Sequence, residues 1–402
     1  MREPSRSGGA GAIEKSKLPL FPYFVLLNMM GWLGEIFPTG SATNDPLLSF
    51  MLFYLPIMFL IVYGQKIQMW MVLNEVGRAL KKFKAMRDKA RNEVIDHIKG
   101  FVKPDVDLTK KVDGFLEYFT ISPVDLDPSG IIRKLDHLMF VKDERMEREL
   151  ELLVKDADKV QLSVMENLLE VASELNYIYK VVRHYYLLGK KMANLYILLQ
   201  IQMLMPIILQ EAEALVGAID GIKAMQPLGD GIGPMVVGGF MVGKEKKLLA
   251  KDTVIAEDEI KGRRVIFMKA KGPAGNVGKP GKAIRRLIDE MKVKIKLIVM
   301  IDAALKLEGE KSGEVAEGIG AAIGGIGVDK YEIEEVATEY KIPLYAIVIK
   351  ESIAEAISVL RSEIAKAKDK VIEAIYRLID EKTSKGDVVL VVGVGNTLGI
   401  GQ

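Results

Sequence analysis

The chain has 402 residues, 56 basic against 54 acidic side chains, three histidines and no cysteine. Its length predicts two or three domains at roughly 100 to 200 residues each, and its net charge of +2 argues against a specific nucleic-acid partner, which requires a strong basic excess. The absence of cysteine excludes disulfides, thiolate zinc sites and cysteine nucleophiles, and with abundant Ile, Val, Glu and Lys it is typical of a thermophile.

The first 37 residues divide into a tail and an apolar stretch. Residues 1–17 are rich in Gly, Ser and charge, so we expect a disordered tail. Residues 18–37 are apolar but contain two prolines, and three interpretations are open: the first span of a membrane hairpin, a signal peptide, or an interfacial segment with Trp32 at headgroup depth. We favour the hairpin, because basic residues precede the stretch and the connector 38–46 has no Lys or Arg.

Residues 46–64 give the strongest membrane signal. These 19 residues carry no charge, and as a helix they would span about 28 Å, close to the ~30 Å hydrocarbon core of a bilayer. A buried core helix is the alternative. Basic residues dominate from Lys66 to Arg91, so the positive-inside tendency predicts a cell-membrane protein with the bulk of the chain in the cytoplasm.

Residues 65–225 have a helical pattern. Apolar residues recur at intervals of three and four through 67–86 and 150–181, and the segments 103–111 and 122–130 have turn composition. Within this domain, 192–210 is a second stretch free of charge. We expect it to be a helix buried in a soluble bundle or lying against the bilayer, rather than a further span.

Residues 226–402 are rich in glycine and alternate short β-branched runs with helical runs. This alternation predicts an α/β domain with a mainly parallel sheet. The predicted strands are 265–268, 295–301, 344–349 and 388–392, and the predicted helices are 282–291, 332–340 and a long one at 353–381.

The loop after the first predicted strand indicates an anion site. Glycine lets backbone N–H groups approach phosphate oxygens, and a helix start follows. The spacing is not that of a Walker A loop, because five residues separate Gly272 from Gly278 and Pro280 stands where Ser or Thr is needed. A glycine-rich turn without a ligand is the alternative. The candidate ligand-binding residues are Gly272, Gly275, Gly278, Lys279 and Lys282, with Asn396 as a polar contact from the last strand.

Carboxylates after the second predicted strand indicate a Mg²⁺ site. Asp302 ends the apolar run LIVMI, where packing does not explain a lone carboxylate, and Glu308 or Glu317 would be its partner as a hard oxygen ligand. All three histidines lie in the helical half. The α/β half therefore offers neither imidazole zinc sites nor Ser-His-Asp catalysis.

Four segments carry a family resemblance: the membrane segment running into YGQKIQ, PLGDGIGP at 227–234, the glycine-rich run at 301–327 and the terminal VVGVGNTLGI. With these segments the chain resembles an archaeal family of membrane-anchored proteins of unknown function, over about residues 46–402. The resemblance implies a membrane protein with a cytoplasmic body and assigns no catalytic residue.

These observations predict a membrane-anchored cytoplasmic protein whose α/β domain binds a phosphorylated small molecule or nucleotide with Mg²⁺. Whether it is an enzyme is left open. The first alternative is a membrane-associated scaffold, a homo-oligomer assembled through the apolar stripe at 150–181. A weaker one is a transporter component that uses 192–210 as a further span.

Overall fold

The computed structural model describes residues 51, 55–102, 106–123, 130–154, 157–325 and 327–401. The chain divides into two compact units, residues 1–68 and 69–402. The predicted disordered tail, the stretch 18–37 and the start of the segment 46–64 lie outside the described residues. From Leu55 onwards that segment is helical, as the first turns of α1 (Leu55–Lys99).

Four further helices follow α1 in the helical part of the second unit. They are α2 (Leu108–Leu116), α3 (Ile131–Leu153), α4 (Lys159–Met192) and α5 (Leu195–Lys223). A capping box formed by Asp158 and Gln161 begins α4, and the Asn194 side chain accepts hydrogen bonds from the first turn of α5. A helical part preceding the α/β domain is thus confirmed.

Contacts along α1 fix how the long helices run. Gln202 of α5 donates to Glu75, and near the far ends Lys223 pairs with Glu93, so α1 and α5 are parallel. The antiparallel hairpin of α4 and α5 turns at Ala193 and Asn194. Most of the apolar stripe predicted at 150–181 is buried in the bundle core, including Val164, Leu168 and Leu175.

The α/β domain contains one seven-stranded sheet. The 3₁₀ turn Gly229–Gly231 and α6 (Ile232–Met241) precede it. The strands are β1 (Lys247–Ala250), β2 (Thr253–Ile260), β3 (Arg263–Ala270), β4 (Ile295–Leu305), β5 (Val315–Ile319), β6 (Leu344–Glu351) and β7 (Val388–Gly393). Their order in the sheet is β1-β2-β3-β7-β4-β6-β5.

The sheet is mixed, which corrects the prediction of a mainly parallel sheet. The four predicted strands are β3, β7, β4 and β6, and they pair in parallel at the centre. The strands that the sequence did not indicate, β1, β2 and β5, pair antiparallel at the edges.

The remaining helices are α7 (Pro280–Asp289), α8 (Val328–Glu339), α9 (Ile353–Ile357), α10 (Ser362–Ala365) and α11 (Ala367–Lys382). Three helices, α9 to α11, replace the single long one predicted at 353–381. The break has a structural cause: Val359 forms a β-bridge with Leu228, and this extended backbone interrupts the helix.

The helices cover both faces of the sheet. Buried side chains of α7 and α8 belong to one apolar core, and those of α6 and α11 belong to the core on the opposite face. The chain leaving β4 forms the edge strand β5 and then reaches β6 through α8 on one face, whereas the chain leaving β6 reaches β7 through α11 on the other. Adjacent strands whose connections diverge in this way form a topological switch point, where open α/β sheets bind ligands.

One helix among the described residues, α5, is long and apolar enough to cross a membrane. Its apolar window is 22% buried. By length and composition alone this is weak evidence for a span, because core helices of soluble proteins pass the same test.

Candidate functional site: a carboxylate crevice

Two acidic side chains lie at the carboxyl ends of the strands that flank the switch point. Asp302 pairs with Val348 in the ladder of β4 and β6, and Glu351 ends β6 opposite Leu305. Both are buried, with 6% of Asp302 and 2% of Glu351 exposed. Burial of two acidic groups at this edge is unusual, because carboxylates are rarely buried without a partner.

A third carboxylate reaches the same place from the segment 227–234. Asp230 lies in the 3₁₀ turn before α6, and the backbone N–H of Asn396 donates to its Oδ2 at 2.8 Å. The glycines of this segment permit a close approach. A Cβ on Gly229 would lie 2.8 Å from Glu351 Oε2, and one on Gly233 would lie 2.5 Å from the Ile301 carbonyl oxygen. We call Asp230, Asp302 and Glu351 the carboxylate crevice.

The electrostatics of the crevice disfavour ionisation. Burial, with a contribution from the charge of Asp230, raises the pKa of Asp302 to about 8. Burial, together with Asp230, Glu355 and Asp302, raises the pKa of Glu351 to about 8. Burial also raises the pKa of Asp230, although the Asn396 N–H opposes the shift. At neutral pH the crevice therefore holds protons that ordinary carboxyl groups would release.

Glu351 is unusual in its hydrogen bonding. Both of its carboxyl oxygens are buried, and neither has a hydrogen-bond partner among the residues that the structure describes. A buried polar group without a partner costs about 1 to 3 kcal/mol, so natural proteins seldom retain one without a use for it. Glu351 is accordingly the group in the crevice most able to gain from a bound donor.

A network of opposite charge borders the crevice around Glu355. The Ser312 hydroxyl donates to its carboxylate at 2.8 Å, Arg361 donates at 3.1 Å, and Lys306 lies 3.4 Å away. Although burial alone would raise the pKa of Glu355, hydrogen bonds from Ser352 and Ser312 and the charge of Lys306 lower it to about 2. Ionised Glu355 therefore stands beside proton-holding Glu351.

The loop predicted as an anion cradle is connected to the rest of the protein by its own backbone. The N–H of Gly275 donates to Ser163 Oγ at 2.9 Å, and the N–H of Lys279 donates to Thr253 Oγ1 at 2.7 Å. At the start of α7, the N–H of Gly281 donates to the Asp329 carboxylate at 3.4 Å. These N–H groups are thus already engaged by the protein.

The loop side chains and glycines likewise have protein neighbours. Lys282 forms an ion pair with Asp136 at 2.9 Å. A Cβ on Gly272 would lie 1.8 Å from the Ile400 carbonyl oxygen, and one on Gly278, whose φ is +68°, would lie 2.7 Å from Thr253 Oγ1. Close packing explains these glycines without a phosphate.

Asn396 connects the loop to the crevice. Its side chain donates to Asn167 Oδ1 at 3.2 Å, and Asn167 donates to the Gly275 carbonyl oxygen at 3.4 Å. Since the Asn396 backbone also binds Asp230, a continuous chain of contacts runs from Gly275 to the crevice. The structure therefore brings Gly275, Asn396 and Asp302 to one edge of the sheet.

The proposed Mg²⁺ ligands are not brought together. Glu308 is exposed, and Glu317 on β5 pairs with Arg377 of α11. Asp302 shares a face of β4 with Ile298 and Met300, and that face is opposite to the one that α11 covers. Among the described residues, no group of three or more acidic or histidine side chains has an arrangement that would hold a metal ion.

Sequence reasoning did not select three important residues. Asp230 lies in PLGDGIGP, whose glycines indicate close packing, and Glu351 is the second residue after the predicted strand 344–349. Asn167 gave no signal, because its position in a helical pattern does not reveal a contact with residues more than 100 positions later.

Comparison with known families gives two matches that together cover most of the chain. A family model described as the N-terminal domain of a protein of unknown function (DUF1512) matches residues 50–225. A model described as a C-terminal domain of unknown function (DUF1512) matches residues 228–401. No curated protein matches the chain.

Proposed function

Since the chain belongs to the DUF1512 family, a family defined without an activity, we propose from its geometry that it is a membrane-anchored protein whose α/β domain binds a small ligand in the carboxylate crevice. The ligand carries a positive charge or several hydrogen-bond donors, as an amine or a guanidine does. The observation that carries the proposal is Glu351, which is buried at the switch point and whose two carboxyl oxygens have no partner within the described part of the chain.

The chemistry of the crevice supports a cationic ligand. A cation favours the ionised form of Asp302 and Glu351, so its binding would release the protons that these two carboxyl groups hold at neutral pH. Because the three carboxylates are not arranged around one metal position, an organic cation with donors spread over several atoms suits them better than Mg²⁺ does.

We keep the prediction of a phosphorylated ligand but propose a different position for its phosphate. Lys306 and Arg361 lie at the border of the crevice and share the Glu355 carboxylate. A phosphate attached to the ligand would be held there, beside the carboxylates, rather than in the loop 272–282, where the N–H groups of Gly275, Lys279 and Gly281 have protein acceptors. An amine-bearing phosphorylated molecule or nucleotide would then bind with both ends at one edge of the sheet.

The test is thermal unfolding of the full-length protein in mild detergent with putrescine, spermidine, agmatine, ADP or Mg²⁺. A ligand at about 100 times its Kd stabilises the folded state by about 2.7 kcal/mol. We expect an amine to raise the melting temperature in the wild type and in Glu308→Gln, an exposed control, and to have little effect in Glu351→Gln. Stabilisation by ADP that is lost in Lys279→Ala would instead support the loop.

A non-enzymatic scaffold is the second candidate. It requires an exposed surface for self-association, whereas most of the stripe predicted for this role at 150–181 is buried within the chain. Concentration-dependent assembly of the wild type that is unchanged in Glu351→Gln, with no ligand response, would favour the scaffold.

A further inference from the structure

The turn between α4 and α5 is surrounded by exposed apolar side chains. Tyr196 is 70% exposed, Met203 78% and Ile207 56%, and these three residues lie along one side of α5 because they are seven and four positions apart. On the α4 side, Leu187 and Met192 are also exposed. Large exposed apolar surfaces of this kind mark interaction sites.

Trp70 of α1 lies at the same end of the helical bundle. Glu75 accepts a hydrogen bond from Gln202, and α1 runs parallel to α5. Trp70 precedes Glu75 by roughly 7.5 Å of helix and Tyr196 precedes Gln202 by roughly 9 Å. The two aromatic side chains, 65% and 70% exposed, therefore lie at nearly the same height.

The charged side chains on both sides of the α4–α5 turn are basic. Residues 175–210, which include the turn, contain no Asp or Glu but contain Lys180, Arg183, Lys190 and Lys191. Among the residues described, Lys180 pairs with Glu117 and the other three have no acidic partner. Aromatic and apolar side chains flanked by free basic residues are the composition that binds the interface of an anionic bilayer.

We propose that this end of the bundle, defined by Trp70, Leu187, Met192, Tyr196, Met203 and Ile207 and called here the bilayer-contact surface, rests on the headgroup region of an anionic membrane. The inference rests on the membrane anchor of the proposed function, and α1 leads back directly into the uncharged segment 46–64. The alternative occupants are a second copy of the chain and the residues that precede α1. The basic charge favours the bilayer, because a second basic surface would repel it and the residues that precede α1 carry four acidic and four basic side chains, hence no net negative charge.

This placement sets the carboxylate crevice away from the membrane. The other end of α5 is at Lys223, and the 27 positions from Tyr196 to Lys223 correspond to roughly 40 Å of helix. Asn167, which contacts the loop beside the crevice, lies 25 positions before Met192 on α4. Ligand entering the crevice would therefore come from the aqueous phase.

The experiment uses the absence of cysteine, because a single introduced cysteine is a unique labelling site. Full-length Met203→Cys and Ile207→Cys are labelled with a polarity-sensitive fluorophore, and Leu152→Cys on α3, 80% exposed, is the matched control. Each protein is reconstituted into phosphatidylcholine vesicles with or without phosphatidylglycerol, and quenching by brominated lipid is measured.

We expect lipid quenching at residues 203 and 207 to exceed that at 152 by at least about threefold in vesicles with phosphatidylglycerol. Lys190→Gln with Lys191→Gln should reduce it there and leave the phosphatidylcholine vesicles unchanged. Vesicle flotation separates the two proposals: if the protein floats with vesicles but the label is not quenched, the bilayer-contact surface is wrong and the anchor stands. Failure to float would contradict both.

Two further results would also overturn the inference. A label whose emission responds to protein concentration and not to lipid would identify a second copy as the occupant. A label protected from aqueous iodide without any lipid would identify the chain's own preceding residues.

Discussion

The stability of the folded protein should depend on pH through the carboxylate crevice, and Asp302→Asn with Glu351→Gln tests this directly. Both groups have a pKa of about 8 in the folded state, against ordinary values of 3.8 and 4.5. At a pH between the ordinary pKa values and about 8, the folded protein keeps protons that the unfolded chain has released. The contribution of these two groups to stability is therefore fully present below about pH 4 and is lost as the pH rises towards 8.

The magnitude follows from the linkage relation. Each carboxyl group that is protonated when folded and ionised when unfolded lowers the free energy of unfolding by about 1.4 kcal/mol per pH unit. Two groups give a slope of at most about 2.7 kcal/mol per pH unit between pH 5 and 7. The measured slope should be smaller, because structural relaxation and entry of water reduce the pKa shifts of buried groups.

The amide substitutions remove these ionisable groups while keeping their shape. We expect each single variant to be more stable than the wild type at pH 8, by about 1 to 3 kcal/mol, and to have a shallower pH slope. Near pH 4.5 the difference should nearly vanish. The exposed Glu308→Gln should follow the wild type at every pH.

The assay is guanidinium unfolding of the full-length protein in detergent, followed by circular dichroism from pH 4.5 to 8.5. Equal slopes for the wild type and both crevice variants would refute the reasoning, since they would show that Asp302 and Glu351 ionise alike in folded and unfolded states. Wild-type stability that increases towards pH 8 would refute it as well.

Two other predictions concern the contacts that join the loop to the crevice. Gly275→Ala should lower the free energy of unfolding by about 1 to 3 kcal/mol, because the new Cβ would lie 2.5 Å from Asn167 Nδ2. Gly318→Ala is the control and should change it little, because no atom lies within 4 Å of that Cβ. Equal effects of the two substitutions in chemical denaturation would contradict this explanation. Asn167→Ala and Asn396→Ala should each lower the free energy of unfolding by about 1 kcal/mol. Their effects should be non-additive in a double-mutant cycle, because both substitutions remove the same hydrogen bond. Strictly additive values would show that the two residues act independently.

Much of the fold could be predicted from local sequence. The apolar β-branched runs gave the four central strands because such strands are buried on both faces. The edge strands β2 and β5 were missed because the second half of β2 carries Glu257, Asp258 and Glu259 and β5 contains Gly318, so neither is apolar along its whole length. The break after α9 depends on a bridge from Val359 to Leu228, a tertiary contact that local periodicity does not show.

The candidate site could be predicted only in its position. The rule that ligands bind beyond parallel strands led to the edge where the structure places Asp302 and Asn396. The role of the glycines in the loop 272–282 was harder to infer. A glycine that lets a phosphate approach the backbone and one that lets another backbone segment approach it look alike in sequence. The carbonyl oxygen of Ile400 beside Gly272 distinguishes the two cases, and only the folded chain reveals it.

The most direct test of the proposed function is a crystal structure of the full-length protein grown with the amine that stabilises it most. The account predicts ligand density at the ends of β4 and β6, with donor atoms within hydrogen-bond distance of the Glu351 and Asp302 carboxyl groups. It is contradicted if Glu351 is bonded to protein atoms in a closed crevice and the ligand lies elsewhere, for example in the loop 272–282.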